Sequence, residues 1–212
     1  MSRAIPPRTF VTDNGLSLTL FGLFAVGLAA QAATGFAAYN ATLSALHRPG
    51  VGLAAYLGTG NFLDGVLSNW QAAVLQLAVL ITFGPVLRQK GATHSRSMND
   101  PGEPEAVGYS WAYRHSLSLA FAAIFVVTFA LHLIFATWKY NEDQALLNLP
   151  ATGTLTFAAT SSFWFTVFQC WEAEFAVLGI YVVCSIYLRE EGSPESKPVG
   201  ASDDQTGGPD ED

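Results

Sequence analysis

Two stretches of this sequence decide its fold: LSLTLFGLFAVGLAAQAATGFAAYN at residues 16–40 and LSLAFAAIFVVTFALHLIFATWKYN at residues 117–141. They align without a gap at an offset of 101 residues, and the alignment extends from 16–97 to 117–198. Of these 82 aligned positions, 21 have the same residue in both stretches. The identical positions include a tryptophan, a Tyr-Asn pair, an arginine and a glycine. An internal repeat is interpreted before any local feature. This one predicts two tandem copies of a helix-loop-helix unit.

Both copies have the composition of membrane-spanning helices. Half of the residues are hydrophobic and 13% are charged, whereas soluble domains carry about 25% charged residues. Residues 16–38 and 117–138 contain no Asp, Glu, Lys or Arg, and each exceeds the roughly 20 residues needed to span the hydrocarbon core. Two further helices are predicted to run from a tryptophan to an arginine, at 70–88 and 171–189. The sequence therefore predicts an all-α integral membrane four-helix bundle built from two tandem parallel repeats.

Shorter segments complete the predicted organisation. A mildly apolar stretch within each copy, at residues 51–67 and 152–168, is predicted to lie as a short helix at the outer interface. The C-terminal tail holds eight of the 17 acidic residues and has little apolar content, so it is predicted to be disordered. The predicted segments are a cytoplasmic lead (1–15), repeat one (16–97), a cytoplasmic linker (98–114), repeat two (115–189) and the tail (190–212).

Basic residues predict the orientation in the membrane. If both termini and the connection between the copies share one side, that side holds eight of the ten Lys and Arg residues, and the other side holds Arg48 and Lys139. The excess of positive charge marks the cytoplasmic side. Ala30-Gln31-Ala32 after an apolar run also resembles a signal-peptide cleavage site. The same element recurs in mid-chain at 117–138, which favours a retained helix.

Polar side chains inside lipid are expensive and are therefore candidate functional groups. His132 lies about 22 Å above the inner end of the third helix, and Glu174 lies about 21 Å above the inner end of the fourth. We predict that they lie at one depth and can pair, with Glu172 slightly further out. The full set of candidate intramembrane polar contacts is His132, Glu172, Glu174, Gln31, Gln71 and Gln76. Three interpretations stay open: a proton-active pair, a structural polar contact, or glutamates that face water.

Recognisable catalytic chemistry is missing from the sequence. It contains no phosphate loop, dinucleotide fingerprint, nucleophile elbow or zinc-helix motif, and its four histidines have no metal-site spacing. Lys and Arg are too sparse for nucleic-acid binding. We expect no enzyme activity, no cofactor and no nucleic-acid partner. The expected partner is the lipid bilayer, and a protein partner or homo-oligomer stays open.

Several short motifs resemble one known family. They are Asn-Gly-Leu-Ser-Leu at 14–18, Tyr-Leu-Gly-Thr-Gly-Asn-Phe at 56–62, Trp-Glu-Ala-Glu-Phe at 171–175 and Leu-Arg-Glu-Glu-Gly-Ser-Pro-Glu-Ser-Lys at 188–197. Over residues 10–198 the chain is similar to small bacterial multipass membrane proteins of unknown function. The resemblance implies a bacterial inner-membrane protein and supplies no activity or ligand. The first copy departs from the family pattern, since it has Trp70-Gln71-Ala72-Ala73-Val74 where acidic residues are typical.

Three functional hypotheses follow from these observations. The leading one is a non-enzymatic membrane bundle that acts as a subunit, a scaffold or an envelope-stress factor. The alternative is a small transporter or channel with a polar path at the repeat interface, near His132 and Glu174. An intramembrane enzyme is the third, and neither a nucleophile nor a metal set supports it.

Overall fold

The computed structural model describes residues 9–97, 99 and 108–207. Within these residues the protein consists of helices, loops and turns and has no strand. The helices are α1 (Phe10–Asp13), α2 (Gly15–Ala45), α3 (Leu53–Leu57), α4 (Gly60–Phe83), α5 (Trp111–Arg114), α6 (Ser116–Leu146), α7 (Thr154–Ala158) and α8 (Ser161–Tyr187). Four of them, α2, α4, α6 and α8, are long and apolar enough to cross a membrane. The predicted all-α class with four long apolar helices is confirmed.

The first spanning helix of each copy is longer than predicted. α2 and α6 have 31 residues each, which is about 46 Å of helix against roughly 30 Å of hydrocarbon. The predicted spans, 16–38 and 117–138, therefore account for the lipid-crossing part only. The last two turns of each helix continue beyond it and carry the Tyr-Asn pairs.

The second spanning helix of each copy begins earlier than predicted, at Gly60 and Ser161 instead of at the two tryptophans. A threonine immediately before each helix explains the start. The Thr59 and Thr160 hydroxyls accept hydrogen bonds from the backbone N–H groups three residues on, both at 3.3 Å, which is N-capping. The predicted interfacial segments, 51–67 and 152–168, are thus each divided into a short helix and the first turns of a spanning helix.

α4 and α8 end differently. α4 stops at Phe83, short of the predicted end at residue 88, whereas α8 runs on to Tyr187. Gly84-Pro85 follows α4, and proline lacks the N–H that a helix needs and disfavours helical backbone in the residue before it. Pro85 therefore ends this helix instead of kinking it. The aligned position in α8 is Ile186, which continues the helix.

Equivalent elements recur at a constant offset along the chain. α5, α6 and α7 begin and end 101 residues after α1, α2 and α3, and α8 begins 101 residues after α4. Left-handed backbone recurs at the same offset, with φ of 56° at His47 and 58° at Asn148. The offset is the one that the sequence alignment predicts.

The chain divides into two compact units, residues 1–62 and 63–212. In the first unit Tyr56 is buried against Phe36, Tyr39 and Phe62, with ring centroids 5.5–6.1 Å apart. The second unit has an aromatic core at the α6, α7 and α8 contact, formed by Ala136, Phe157, Phe163 and Val167 with Phe129, Leu133, Tyr140 and Trp171 around it. Most other long apolar side chains of the spanning helices are exposed, as lipid-facing residues should be.

The acidic tail is folded through residue 207, contrary to the prediction of disorder. Lys197 is 1% exposed, and its ammonium donates to the backbone oxygens of Ser202, Asp203 and Gln205 at 3.1–3.2 Å. Burial lowers the pKa of Lys197 below its ordinary value, and the nearby Arg189 charge lowers it further. Because a lysine has three donors, these carbonyls satisfy it completely. The rest of the predicted tail, 208–212, lies outside the described residues.

The folded tail is attached to the loop that follows α4. The Gly91 N–H donates to the Thr206 hydroxyl at 2.8 Å, and the Gly207 N–H donates to the Ala92 oxygen at 3.1 Å. Gly91 has a φ of 84°, and a Cβ there would lie 2.4 Å from the Asp203 oxygen. Only glycine fits this position. The interaction was missed because backbone and ammonium groups, which leave no hydrophobic pattern, hold the tail in place.

Candidate functional site

A buried charge cluster lies near the first turns of α4, where that helix meets α6. Asp64 of α4 is 4% exposed and His132 of α6 is 0% exposed. The Lys139 ammonium donates to Asp64 Oδ2 at 2.9 Å. The His132 Nε2 atom lies 3.3 Å from the other carboxylate oxygen, Oδ1. One carboxylate therefore connects the two α6 side chains, which lie two turns apart.

The cluster is incompletely hydrogen-bonded. The contact between His132 and Asp64 is close enough for an ion pair, but it lacks hydrogen-bond alignment, and Asp64 Oδ1 and both ring nitrogens of His132 are buried without a hydrogen-bond partner. The rings of Phe163 and Phe129 flank the imidazole, with centroids 5.4 and 6.5 Å away. A buried polar atom without a partner costs about 1–3 kcal/mol. His132 is therefore held in an unfavourable setting by its surroundings.

A small cavity of about 100 Å³ leads from the cluster toward the end of α6. Its polar lining includes Asp64, Lys139, Asp143, Ser162 and Thr166. The Lys139 side chain is 41% exposed, so the cluster is connected to solvent on that side. Lys139 follows directly on the predicted 117–138 span, which places this opening at the end of that span.

The arrangement can hold a proton or ordered water between groups of opposite charge. A neutral imidazole has one donor and one acceptor, and a protonated one has two donors. Protonation of His132 would therefore place a new positive charge 3.3 Å from the Asp64 carboxylate. Among the described residues no group of three His, Cys, Asp or Glu side chains could hold a metal ion.

The predicted acidic partner of His132 differs from the one in the structure. The structure pairs His132 with Asp64 instead of with Glu174. Glu174 instead contacts α4 through its backbone, because its carbonyl oxygen accepts a hydrogen bond from Gln76 Nε2 at 3.1 Å. Glu172 is exposed. The early start of α4 causes the difference, because it brings Asp64 into the helix beside α6.

The predicted glutamines lie in three different settings. Gln71 is fully buried, accepts from Trp171 Nε1 at 2.8 Å and donates to the Ser68 oxygen at 3.0 Å. Gln76 joins α4 to α8 through the Glu174 oxygen. Gln31 is half-buried on α2 in the first unit. Gln71 and Gln76 thus make interhelical polar contacts, although with partners that the sequence did not identify.

Asp64 and Lys139 are the functional candidates that sequence reasoning missed. A signal was present, because Asp64, Ser68 and Gln71 recur at helical spacing, one turn apart on one face, and all three are buried. The signal becomes readable only when α4 is known to begin at Gly60. The positions aligned at the predicted offset of 101 residues hold Phe165 for Asp64, Gln31 for His132 and Ala38 for Lys139. The charged residues of the cluster therefore have no counterparts at the aligned positions.

Residues 7–208 match the sequence family described as Domain of unknown function (DUF6766). The chain belongs to this family. The match covers nearly the whole chain, so the resemblance to a family of multipass membrane proteins of unknown function is confirmed. No curated protein and no solved structure matches the chain.

Proposed function

We propose that this chain is a non-enzymatic protein of the bacterial inner membrane, with both termini in the cytoplasm, that acts as a subunit, a scaffold or an envelope-stress factor. The observation that carries the proposal is four long helices whose apolar side chains are mostly exposed. Such surfaces are compatible with lipid and not with water. The eight-to-two distribution of Lys and Arg supports the orientation.

An ancestral duplication is part of the proposal. Its support is the common offset of 101 residues in the helix bounds and in the left-handed residues. Each copy contributes two spanning helices, so both copies enter from the same side and are parallel repeats. The charge cluster then combines Asp64 of copy one with His132 and Lys139 of copy two, which makes it a product of both copies.

Site-directed labelling tests the orientation. Cysteines would replace Arg48 and Lys90 one at a time, in a background where Cys170 and Cys184 are alanine. Intact cells would then be treated with a membrane-impermeant maleimide. We expect labelling at position 48 in intact cells and at position 90 only after lysis. Labelling of position 90 in intact cells would overturn the orientation.

The second candidate function is a small transporter or channel, and the charge cluster specifically favours it. A membrane-spanning protein bears a high cost for buried charge, so such groups mark ion or proton paths. Asp64 and His132 are buried and incompletely hydrogen-bonded, and Ser68 and Gln71 continue the buried polar stripe deeper along α4. A cavity connects this stripe to the exposed side of Lys139.

Proteoliposomes loaded with a pH-sensitive dye separate the two candidates. Proton flux that falls in His132→Leu and Asp64→Asn but persists in the matched control Gln31→Leu would establish the transport function. The control alters the aligned residue of the other copy, which has no carboxylate counterpart at the aligned position of Asp64. If wild-type vesicles show no more proton flux than empty vesicles under an imposed pH gradient, the transport function is wrong and the non-transport role remains.

A further inference from the structure

Two adjoining grooves lie at the end of the second unit opposite the charge cluster. The first, of about 450 Å³, is largely apolar and is lined by side chains of α4 and α8 that include Leu80, Phe83, Leu178 and Val182. The second, of about 610 Å³, lies between the end of α4 and the start of α6. Gly84 and His94 line both grooves. A ligand with an apolar part and a polar part could therefore occupy the two together.

The second groove is basic. Its lining includes two arginines, Arg96 and Arg114, and two histidines, His94 and His115. No acidic side chain among the described residues lines either groove. Glu195 contacts this region from outside the lining, and its Oε2 lies 2.6 Å from His94 Nε2. The lining as a whole is suited to an anion.

The basic groove lies at the depth of lipid headgroups. Aromatic side chains lie on and beside α5, next in sequence to the lining residues Arg114 and His115. Trp111 lies 4.8 Å from His115, and Tyr109 is stacked on Tyr113 at 5.2 Å between centroids. Tryptophan and tyrosine concentrate at the boundary between hydrocarbon and water. The apolar groove extends from this level along α4 and α8 toward the membrane interior, since Val79 and Leu178 are its deepest lining residues.

We propose that the paired grooves bind one anionic phospholipid, with its phosphate in the basic groove and an acyl chain along the apolar groove. Basic pockets between transmembrane helices recognise anionic headgroups in this way, and an arginine can hold a phosphate with two parallel hydrogen bonds. His94 is fixed at the junction of the grooves, because its Nε2 also lies 2.6 Å from the Tyr181 hydroxyl.

The continuity of the two grooves argues for a lipid over a free phosphate ion. A phosphate ion would use the basic groove only and would leave the apolar one exposed to water. A phospholipid would cover both, and burial of apolar surface adds about 25 cal/mol per Å². This proposal is independent of the transport hypothesis, because the grooves share no lining residue with the cavity of the charge cluster.

Lipid binding can be measured on the purified full chain in a mild uncharged detergent. Thermal unfolding would be followed after addition of phosphatidylglycerol, of phosphatidylcholine with the same acyl chains, or of inorganic phosphate. We expect a rise in the unfolding temperature that is larger with phosphatidylglycerol than with either of the others. Equal shifts with both lipids would overturn the proposal, and so would inorganic phosphate that reproduces the full shift.

Variants locate the site on the protein. Arg96→Gln and Arg114→Gln should each weaken phosphatidylglycerol binding by about fivefold, which corresponds to roughly 1 kcal/mol per basic residue at the membrane surface. Native mass spectrometry of the bound lipid measures this change. Arg48→Gln, at the opposite predicted interface, is the matched control and should bind as the wild type does. Undiminished binding in the Arg96→Gln/Arg114→Gln double variant would contradict the assignment, and the comparison of lipids in the wild type tests it even if that variant fails to fold.

Discussion

The turn that follows α2 and the turn that follows α6 have the same frame, by which we mean the hydrogen bonds between an asparagine side chain and the backbone across the turn. The side chains packed inside the two turns differ. In the first turn, the Asn40 side chain bonds the backbone of Val51 in both directions, at 2.7 and 3.1 Å. In the second turn, Asn141 does the same with Thr152, at 2.7 and 2.9 Å. Left-handed residues follow both asparagines at the same distance along the chain. The same hydrogen-bonded frame therefore holds both turns.

The packing under each turn shows how the two turns differ. Tyr56 is buried in the first turn, and a Cβ added at Gly35 would lie 2.1 Å from its hydroxyl oxygen. In the second turn the aligned residues are Ala136 and Phe157, which belong to one buried cluster. In the second turn the helix has the methyl group of Ala136, and the ring that packs near it, Phe157, has no hydroxyl. Such compensation preserves the packing density of a core.

Charge distinguishes the turns further. Lys139 and Asp143 lie on α6 beside the second turn, with Asp64 opposite, and the aligned α2 residues are Ala38 and Thr42. Both turns have the same asparagine frame, and only the second has a buried charge cluster beside it, so we infer that the frame serves stability. The charge cluster is the proposed functional part, and the following experiments test this division.

The largest effect is expected from Gly35→Ala. The new methyl group would collide with the Tyr56 hydroxyl inside a packed turn, and overpacking of this kind costs about 1–3 kcal/mol. Unfolding in detergent would measure the loss. Adding Tyr56→Phe should restore most of the stability, because it recreates the Ala136 and Phe157 combination. A double variant no more stable than Gly35→Ala alone would break the comparison.

The two asparagines should be equally important. Asn40→Ala and Asn141→Ala each remove the two hydrogen bonds that cross the turn, so each should lower the free energy of unfolding by about 2 kcal/mol, at roughly 1 kcal/mol per bond. Asn40 also donates to the Phe36 oxygen of its own helix at 3.3 Å. Asn69→Ala is the control, since Asn69 is exposed and donates to one oxygen of its own helix. A loss confined to one of the two turns would show that the frames are not equivalent.

A smaller effect of opposite sign is expected from His132→Leu. Leucine is similar in size and removes two buried nitrogens that have no hydrogen-bond partner, while Lys139 continues to neutralise Asp64. We expect the free energy of unfolding to rise by about 1 kcal/mol. The aligned substitution Gln31→Leu should change it less. If His132→Leu instead destabilised the protein, the imidazole would be a structural contact and not a site held at the expense of stability.

The smallest effect is a dependence on alkaline pH that comes from the Tyr56 hydroxyl of the first turn, which the aligned Phe157 lacks. Burial raises the pKa of Tyr56 above its ordinary 10.0, because the interior disfavours a phenolate. The resulting stabilisation is fully present below the unfolded pKa and is lost as the pH rises through the folded pKa. Tyrosinate absorbance of the wild type should contain a late-ionising contribution that is lost in Tyr56→Phe. If the late-ionising absorbance has the same amplitude in both proteins, it belongs to other tyrosines.

The helix starts show where sequence reasoning succeeded and where it failed. Apolar runs without charge located the lipid-crossing parts of α2 and α6, because lipid excludes charge along the whole span. The start of α4 was missed, since Gly60, Asn61 and Asp64 have the composition of a loop. The sequence signals for the starts of α4 and α8 are Thr59 and Thr160, because threonine can cap the helix that follows it.

The amino-acid sequence alone determined the all-α class, the four apolar helices and the offset at which the elements recur. Each residue of a lipid-crossing helix must be compatible with lipid, so the helices can be recognised from the hydrophobic composition of the chain and from the spacing at which similar segments recur. Only the tertiary structure decided that Asp64 pairs with His132 and Lys139, and that Lys197 is enclosed by the carbonyls of its own tail. Contacts of this kind depend on which helix faces are brought together in space, and distance along the chain does not record that.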